Sequence, residues 1–380
     1  MVFLGKTVIL TGNGLSVGLN SAFSLPNITK RFYEHLEPEH KSFIAHHMER
    51  LEKGDYIQTD FEEAISSIEQ VYDSLKSYYD FLKSNEFGDK FLEAYSLEKE
   101  ELQKHLSSVR SIILRYTTSI IDLIDGHVKW DEINSKLPNF IQWLTDTIDN
   151  AEEVDLFTLN FDLLLETILL ETIGPKQFID FHPRSENWEL LDGDDKRFAF
   201  SPDLAKQIHP DRKVRLHHLH GSLSSFRDIY SGKIFKITTE SLRQNKIYEK
   251  IFDHDITPSI VTGGGKSVKV QENPFNFYYN EFKRKLGDEN NCCENLYIIG
   301  YSFRDDHINK ALKRRLSFER KKENTKLLNE IKIVDFQTSD EGKKEFVNRI
   351  NEELELGPRT KNRFVMDDPR IIFTGANDIG

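Results

Sequence analysis

A series of short apolar runs, separated by helix-like segments, constrains the fold of this chain more than any other feature of its sequence. The runs are rich in Ile, Val, Leu and Phe, and they lie at residues 7–11, 154–159, 214–219, 234–238, 259–262, 296–299, 331–336 and 370–374. Such runs are typical of strands buried on both faces of a parallel sheet. Helical patterns lie between several of them, at residues 163–172 and 306–321. We therefore predict a doubly wound, Rossmann-like α/β fold.

The segment from residue 34 to about 150 differs, because its apolar residues recur at helical spacing and few Gly or Pro interrupt it. The stripes are Ile68, Val71, Leu75, Tyr78 and Leu82, then Leu102, Leu106, Val109, Ile113, Tyr116, Ile120 and Leu123, then Phe140, Leu144 and Ile148. This spacing predicts amphipathic helices. We expect an α/β domain at residues 1–33 and 151–380, with an all-helical insertion, residues 34–150, after the first strand.

The length and the net charge of the chain limit the classes of function that it can have. The 380 residues suffice for two or three domains. The 51 basic and 63 acidic residues give a net charge of −12, which argues against broad binding to nucleic acid. No run approaches the roughly 20 apolar residues of a membrane span, and the first ten residues resemble a buried strand rather than a signal peptide. We expect a cytoplasmic protein without membrane or nucleic-acid contacts.

The two cysteines are adjacent, at Cys292 and Cys293. Adjacent cysteines form neither an ordinary intrachain disulfide nor the paired Cys-x-x-Cys clamps of a structural zinc site. A reducing compartment fits this composition.

Ligands of open parallel sheets bind at the carboxyl ends of the strands, so the residues that follow each run are the candidates. After the first run come Gly12, Asn13, Gly14 and Ser16. The two glycines would let backbone amides approach a pyrophosphate. The third glycine of a dinucleotide fingerprint is absent, because Val17 stands there. A tight turn without a ligand is an equal alternative.

Polar residues also follow the second and third runs. Asn160 is placed to orient water or sugar hydroxyls, and Asp162 is either a ligand contact or the N-cap of the next helix. Alternation along a strand puts His218 and His220 on one face and His217 on the other. His220 precedes a glycine and is the best general-base candidate. A structural role stays open for His217 and His218, and His218 is also an alternative base.

The fourth strand end runs from Gly300 through Ser302 to Asp305 and Asp306. The Gly300–Ser302 turn could close over a ribose, whereas the two aspartates could simply cap the next helix. A basic run follows, and on a helix it is more often a solvated face than a nucleic-acid contact. Its residues are Lys310, Lys313, Arg314, Arg315, Arg320, Lys321 and Lys322.

The four strand ends together resemble the sirtuin superfamily, and in particular the sirtuin-like NAD-consuming domains of bacterial anti-phage defence systems. Gly-Asn-Gly-Leu-Ser at residues 12–16 is similar to the family's Gly-Ala-Gly-Ile-Ser turn, and Thr-Leu-Asn-Phe-Asp at residues 158–162 to its Thr-Gln-Asn-Ile-Asp motif. His-Leu-His-Gly at residues 218–221 resembles its Leu-His-Gly, and the turn at residues 300–303 its ribose loop.

The resemblance implies a role for each of these residues. Asn160 would orient the nicotinamide ribose and a water molecule, and His220 would act as the base. Asp162 would hold the carboxamide, and Ser302 would lie near the adenosine ribose. The residues implied to contact NAD are Gly12, Asn13, Gly14, Ser16, Asp162, Gly300 and Ser302. No metal is required.

Two departures from the sirtuin deacylases bear on the reaction. Their four-cysteine zinc ribbon cannot be built from two adjacent cysteines, and their Gly-Ile-Pro-Asp-Phe-Arg segment is replaced by Phe-Ser-Leu-Pro-Asn-Ile at residues 23–28. Water is then the favoured acceptor, which predicts an NAD+ glycohydrolase that stays latent until a trigger or partner activates it. The alternatives are an NAD or ADP-ribose sensor without turnover and an NAD-dependent protein deacylase.

The resemblance also implies a biological setting. It indicates an effector of anti-phage defence that acts by abortive infection, that forms homo-oligomers and that works beside a partner, for example an ATPase of the HerA type.

Overall fold

The structure is a computed structural model that describes residues 4–34, 37–42, 61–83, 88, 90, 100–113, 128–182, 197–202, 212–228, 231–237, 256–261, 270–287, 292–318, 328–358 and 363–379. The chain divides into two compact units. One contains residues 1–24, 124–260 and 270–380, and the other contains residues 25–123 and 261–269.

The secondary structure alternates between strands and helices. The strands are β1 (Leu4–Thr11), β2 (Ala151–Thr158), β3 (Phe178–Ile179), β4 (Arg197–Ala199), β5 (Val214–His218), β6 (Gly221–Asp228), β7 (Ile234–Ile237), β8 (Ile256–Ile260), β9 (Asn295–Ile299), β10 (Glu330–Val334) and β11 (Ile371–Ile372). The helices are α1 (Asn13–Leu19), α2 (Leu25–Glu34), α3 (Phe61–Lys83), α4 (Trp130–Lys136), α5 (Pro138–Asn150), α6 (Leu164–Thr172), α7 (Phe275–Gly287), α8 (Asp306–Phe318) and α9 (Asp340–Glu353).

Seven strands form one parallel sheet in the order β11-β10-β9-β1-β2-β5-β3. Most residues of its central strands are buried, as expected of Ile-, Val-, Leu- and Phe-rich strands inside a parallel sheet. The predicted Rossmann-like α/β fold is confirmed. The core contains Leu10, Phe157, Phe282, Ile298 and Leu312, which come from β1, β2, α7, β9 and α8.

The predicted strands at residues 234–238 and 259–262 do not belong to this sheet. They correspond to β7 and β8, which join β4 and β6 in a four-stranded antiparallel sheet in the order β4-β7-β6-β8. The assignment to one parallel sheet was wrong because a short apolar run carries no information about the direction of its neighbour. The central strand β6 was missed because its sequence, Gly-Ser-Leu-Ser-Ser-Phe-Arg-Asp, is rich in serine.

Helices make up the described secondary structure of the second unit before residue 124. They are α2, α3 and two further segments at 38–42 and 100–113. The end of the second predicted stripe, from Tyr116 to Leu123, lies outside the described residues. The third stripe forms α5, which contacts β2 and belongs to the α/β unit. In the described part of the chain, no helix is long and apolar enough to cross a membrane.

Candidate active site

The carboxyl ends of four neighbouring strands bring the candidate residues to one edge of the parallel sheet. β9, β1, β2 and β5 are adjacent in that order. The chain passes from β1 to β2 and β5 on one side and later returns to β9 on the other side. This makes the boundary of β1 and β9 the topological switch point, where ligands of open α/β sheets bind. The fold therefore places the four strand ends where a ligand is expected.

The glycine turns after β1 and β9 pack backbone against backbone. The amide of Gly12 donates to the carbonyl of Ile299, and that of Gly14 to the carbonyl of Gly300, both at 2.9 Å. A Cβ on Gly12 would lie 2.6 Å from the Gly300 oxygen, and one on Gly14 would lie 2.7 Å from the Gly300 Cα. Both backbone amides that were predicted to bind a pyrophosphate thus already donate to backbone carbonyls. Phosphate contacts by these glycines stay a prediction.

A buried hydrogen-bond network joins the ends of β1 and β2. The Ser16 hydroxyl donates to a carboxylate oxygen of Asp162 and accepts a 2.9 Å hydrogen bond from the Asn160 side-chain amide. The same amide nitrogen donates to the Gly12 carbonyl at 3.0 Å. The other carboxylate oxygen of Asp162 accepts from the backbone amide of Leu164 at 3.0 Å, at the start of α6. Asp162 therefore contacts the first residue of α6 and belongs to the network, but the N-cap position predicted for it is occupied by Leu163.

Burial determines the electrostatics of this network. Ser16 is inaccessible to solvent, and Asn160 and Asp162 are each 7% exposed. Burial raises the pKa of Asp162 above its usual value, while the hydrogen bonds from Ser16 and Leu164 act in the opposite direction. The carboxyl group is thus held in place by donors from two elements.

The orientation of the Asn160 amide is set by its partners. A backbone carbonyl only accepts, so the nitrogen of the amide faces Gly12, and its second hydrogen faces Ser16. The amide oxygen Oδ1 has no hydrogen-bond partner among the described residues. Oδ1 is therefore an acceptor that remains for a water molecule or a hydroxyl group.

His217, next to the last residue of β5, makes contacts that are typical of a structural residue. Its Nε2 lies 3.1 Å from a carboxylate oxygen of Asp155 on β2, and its ring stacks on Phe157 with centroids 4.3 Å apart. The side chain is completely buried. The structural alternative left open by the sequence analysis therefore fits this residue.

His218 is buried on the last level of β5, opposite Thr158 of β2 and in line with Thr11 of β1. Burial, followed by the charge of Lys236, lowers its pKa to about 3. The ring is therefore neutral at physiological pH. Neither of its nitrogens has a hydrogen-bond partner in the described part of the chain, and the same holds for the Thr11 hydroxyl.

His220 lies beyond β5, in the turn that leads into β6, and not on the strand face that it was expected to share with His218. Its Nε2 is 3.2 Å from a carboxylate oxygen of Asp305. Both side chains are mostly buried, with 11% and 9% of their surfaces exposed. The sequence predicts Asp305 only as a helix cap, because 85 positions separate it from His220 and no local pattern links the two residues.

Two predicted contact residues lie at the surface. Asn13 is exposed, and its side-chain amide donates to the carbonyl of Phe23 at 3.1 Å. Ser302 is exposed in the turn between β9 and α8. The structure therefore unites Gly12, Ser16, Asn160 and Asp162, and joins Gly300 to this group. Among the described residues, the side chains of Asn13 and Ser302 make no hydrogen bond to this group.

A separate cleft of about 590 Å³ lies beside α5, and none of the predicted site residues lines it. Trp143 and Tyr297 form part of its wall, with ring centroids 5.0 Å apart. The strand-end site is thus distinct from this cleft.

A family model described as a SIR2-like domain matches residues 154–353, which is more than half of the chain. The chain belongs to the SIR2-like family. Membership confirms the sirtuin-like resemblance and implies an NAD-binding, sirtuin-type enzyme. The match includes Asn160, Asp162 and His220, whereas the turn at residues 12–16 precedes it.

The other comparisons add little to this assignment. A solved structure described as "The Structural basis of Sirtuin Substrate Affinity" is 12% identical, with 88% of this chain and 83% of that chain covered and a TM-score of 0.35. No curated protein matches the chain.

The donor set of the SIR2-like site fits NAD. Its hydroxyl, amide, carboxylate and imidazole groups are the kinds that bind ribose hydroxyls and a carboxamide. The orphaned polar atoms of Thr11 and His218 point to the same conclusion, because buried polar groups without partners are rare unless a ligand or water satisfies them. Among the described residues, no group of three or more His, Cys, Asp or Glu could hold a metal ion.

Proposed function

We propose that the chain is an NAD+ glycohydrolase that converts NAD+ and water into nicotinamide and ADP-ribose. The fixed amide of Asn160 carries this proposal. Its two hydrogens are engaged by Gly12 and Ser16, so Oδ1 is left as an acceptor for a ligand. An acceptor held in this way orients a water molecule towards the ribose carbon and contributes to catalysis by positioning.

The residues supply what the reaction needs. Water forms a new C–O bond at the ribose carbon as the C–N bond to nicotinamide breaks, and nicotinamide leaves as a neutral molecule with the bonding electron pair. The proton of the attacking water goes to His220. Asp162 and Ser16 hold the reacting part of the substrate and exclude bulk water from it.

His220 is favoured over His218 as the base. The pKa of His218 is lowered to about 3, so this ring takes up no proton at neutral pH. His220 is partly accessible and has a carboxylate neighbour. The low pKa of His218 and the carboxylate beside His220 together support His220 as the base.

We further propose that the enzyme is a latent effector of anti-phage defence that acts by abortive infection. Uncontrolled loss of NAD would kill the host, so the activity needs a trigger. Homo-oligomerisation and an activating partner, for example an ATPase of the HerA type, are part of this proposal, as is action in the cytoplasm.

The test is an assay of purified protein with NAD+, with and without phage extract and candidate partners, in which the products are separated by chromatography. We expect nicotinamide and ADP-ribose in equal amounts. Asn160→Ala and His220→Ala should each reduce the rate by roughly 10²-fold or more, since each removes a group that acts in the transition state.

Matched controls are Asn150→Ala and His105→Ala. Asn150 bonds only within α5, and His105 is exposed in the helical segment 100–113. Both variants should keep wild-type turnover. Binding of NAD or ADP-ribose without turnover in every condition would favour a sensor, and turnover that requires an acylated peptide would favour a deacylase.

A further inference from the structure

Asp305 uses its two carboxylate oxygens for different purposes. Oδ1 accepts from the backbone amides of His307 at 3.0 Å and Ile308 at 3.3 Å, which caps α8. Oδ2 lies 3.2 Å from Nε2 of His220. The carboxylate therefore connects the first turn of α8 with the turn after β5.

The backbone of Asp305 is held as firmly as its side chain. Its amide donates to the Tyr301 hydroxyl at 3.2 Å, and its carbonyl oxygen lies 3.1 Å from the same hydroxyl. The Tyr301 hydroxyl is also bonded to Asn309 on α8 at 2.8 Å. The position of Oδ2 is consequently fixed before any ligand binds.

This geometry has a consequence for the proton on His220. An ionised carboxylate only accepts hydrogen bonds, so a neutral imidazole beside Oδ2 must carry its proton on Nε2. Its lone pair is then on Nδ1, which has no partner among the described residues. We propose that Asp305 is a positioning residue that holds His220 as the Nε2–H tautomer, so that Nδ1 is the atom that receives the proton.

The role of Asp305 in catalysis rests on the proposed hydrolysis of NAD+. In that reaction Nδ1 accepts the proton of the attacking water, and Asp305 then faces the positive charge that forms on the imidazole. In Ser-His-Asp hydrolases, an aspartate likewise fixes the tautomer of a histidine that accepts the proton of the nucleophile.

The kinetic test uses Asp305→Asn. Asparagine caps helices as well as aspartate does, so α8 keeps its cap. An amide in place of Oδ2 donates instead of accepts, which forces the His220 proton onto Nδ1. We expect kcat to fall by roughly 10²- to 10⁴-fold, with KM changed by no more than about threefold because substrate contacts remain.

Two further variants make this test specific. Asp305→Ser also caps α8 but is too short to contact His220, so it should lose kcat in the same way. Asp306→Asn removes an equal charge one position away, at an exposed residue, and should keep the wild-type kcat. Thermal unfolding of all variants checks that the fold is retained.

A spectroscopic measurement tests the pairing independently of turnover. The ¹⁵N shifts of the His220 ring, assigned by comparison with His220→Gln and recorded at a pH at which the ring is neutral, identify the protonated nitrogen. We expect a proton on Nε2 in the wild-type protein and on Nδ1 in Asp305→Asn, while Asp306→Asn should resemble the wild type.

The outcomes separate the two proposals. A wild-type ring protonated on Nδ1, or Asp305→Asn and Asp305→Ser proteins with wild-type kcat, would overturn the role of Asp305. A protein that never releases nicotinamide but shows the expected ¹⁵N pattern would overturn NAD hydrolysis and support the pairing.

Discussion

Three histidines within four positions show how strongly a residue's chemistry depends on its surroundings. His217 contacts a carboxylate inside the sheet, His218 is buried without a partner for its ring nitrogens in the described part of the chain, and His220 contacts a carboxylate near the surface. His217 and His218 are successive residues of β5, so their side chains lie on opposite faces of the sheet, whereas His220 lies in the turn beyond the strand.

The buried His218 predicts an acid-sensitive fold. Its pKa falls from an ordinary 6.5 to about 3 on folding, so the unfolded chain binds the proton first. Its contribution is therefore favourable above pH 6.5 and is lost as the pH falls towards 3. As the pH falls from 7 to 5, protonation of this residue in the unfolded chain should lower the free energy of unfolding by about 2 kcal/mol.

Urea unfolding of the wild type and of His218→Gln at pH 7 and pH 5 measures this cost. The variant should lose about 2 kcal/mol less than the wild type over this interval. His105→Gln, at an exposed position, should follow the wild type. Identical losses in the wild type and His218→Gln would refute the assignment.

At the scale of elements, the contact between the β1 and β9 turns holds the site together. Gly300 has a φ of +63°, in the left-handed region, and a Cβ there would collide with the backbone of Gly14 and Leu15. Gly18, in contrast, lies in α1 and a Cβ there would meet nothing within 4 Å.

Two alanine substitutions exploit this difference. Gly300→Ala should destabilise the protein by roughly 2–5 kcal/mol, because it adds left-handed strain to a backbone collision. Gly18→Ala should stabilise it by up to about 1 kcal/mol, because alanine favours a helix. Urea unfolding measures both, and a Gly300→Ala protein as stable as the wild type would show that the turns are not packed as described.

For the whole molecule, the position of α4 and α5 decides where the α/β domain begins again after the insertion. The sequence predicts residue 151, whereas the compact α/β unit resumes at residue 124. In α5, Phe140, Leu144 and Ile148 are all at most 3% exposed. Burial of three such side chains contributes roughly 5–9 kcal/mol, comparable with the 5–15 kcal/mol that stabilises a typical domain.

Two deletions test which boundary is correct. A chain in which a flexible Gly/Ser linker replaces residues 25–123 should remain folded, whereas one in which it replaces residues 25–150 should not, because it also lacks α5. Circular dichroism and cooperative thermal unfolding distinguish the two. A folded protein from the longer deletion would support the boundary at residue 151.

Much of the site could be anticipated from local patterns. Ser16, Asn160 and Asp162 follow apolar runs, and any parallel arrangement of these strands brings them to one edge. Asp305 could not be found in this way, because its contact with His220 depends on the turn that closes after β5. Arg315 was expected on a solvated helix face and is completely buried, where it donates to the carbonyl of Cys293 at 3.0 Å.

The sequence by itself determined the elements and the edge where the chemistry lies, because hydrophobic periodicity and turn residues act over a few neighbours in the chain. Tertiary structure alone decided the direction of β7 and β8, the contact of Gly12 with Gly300 and the pairing of His220 with Asp305. Each of these depends on which distant segments meet, and that is set by packing of the whole core rather than by any local pattern.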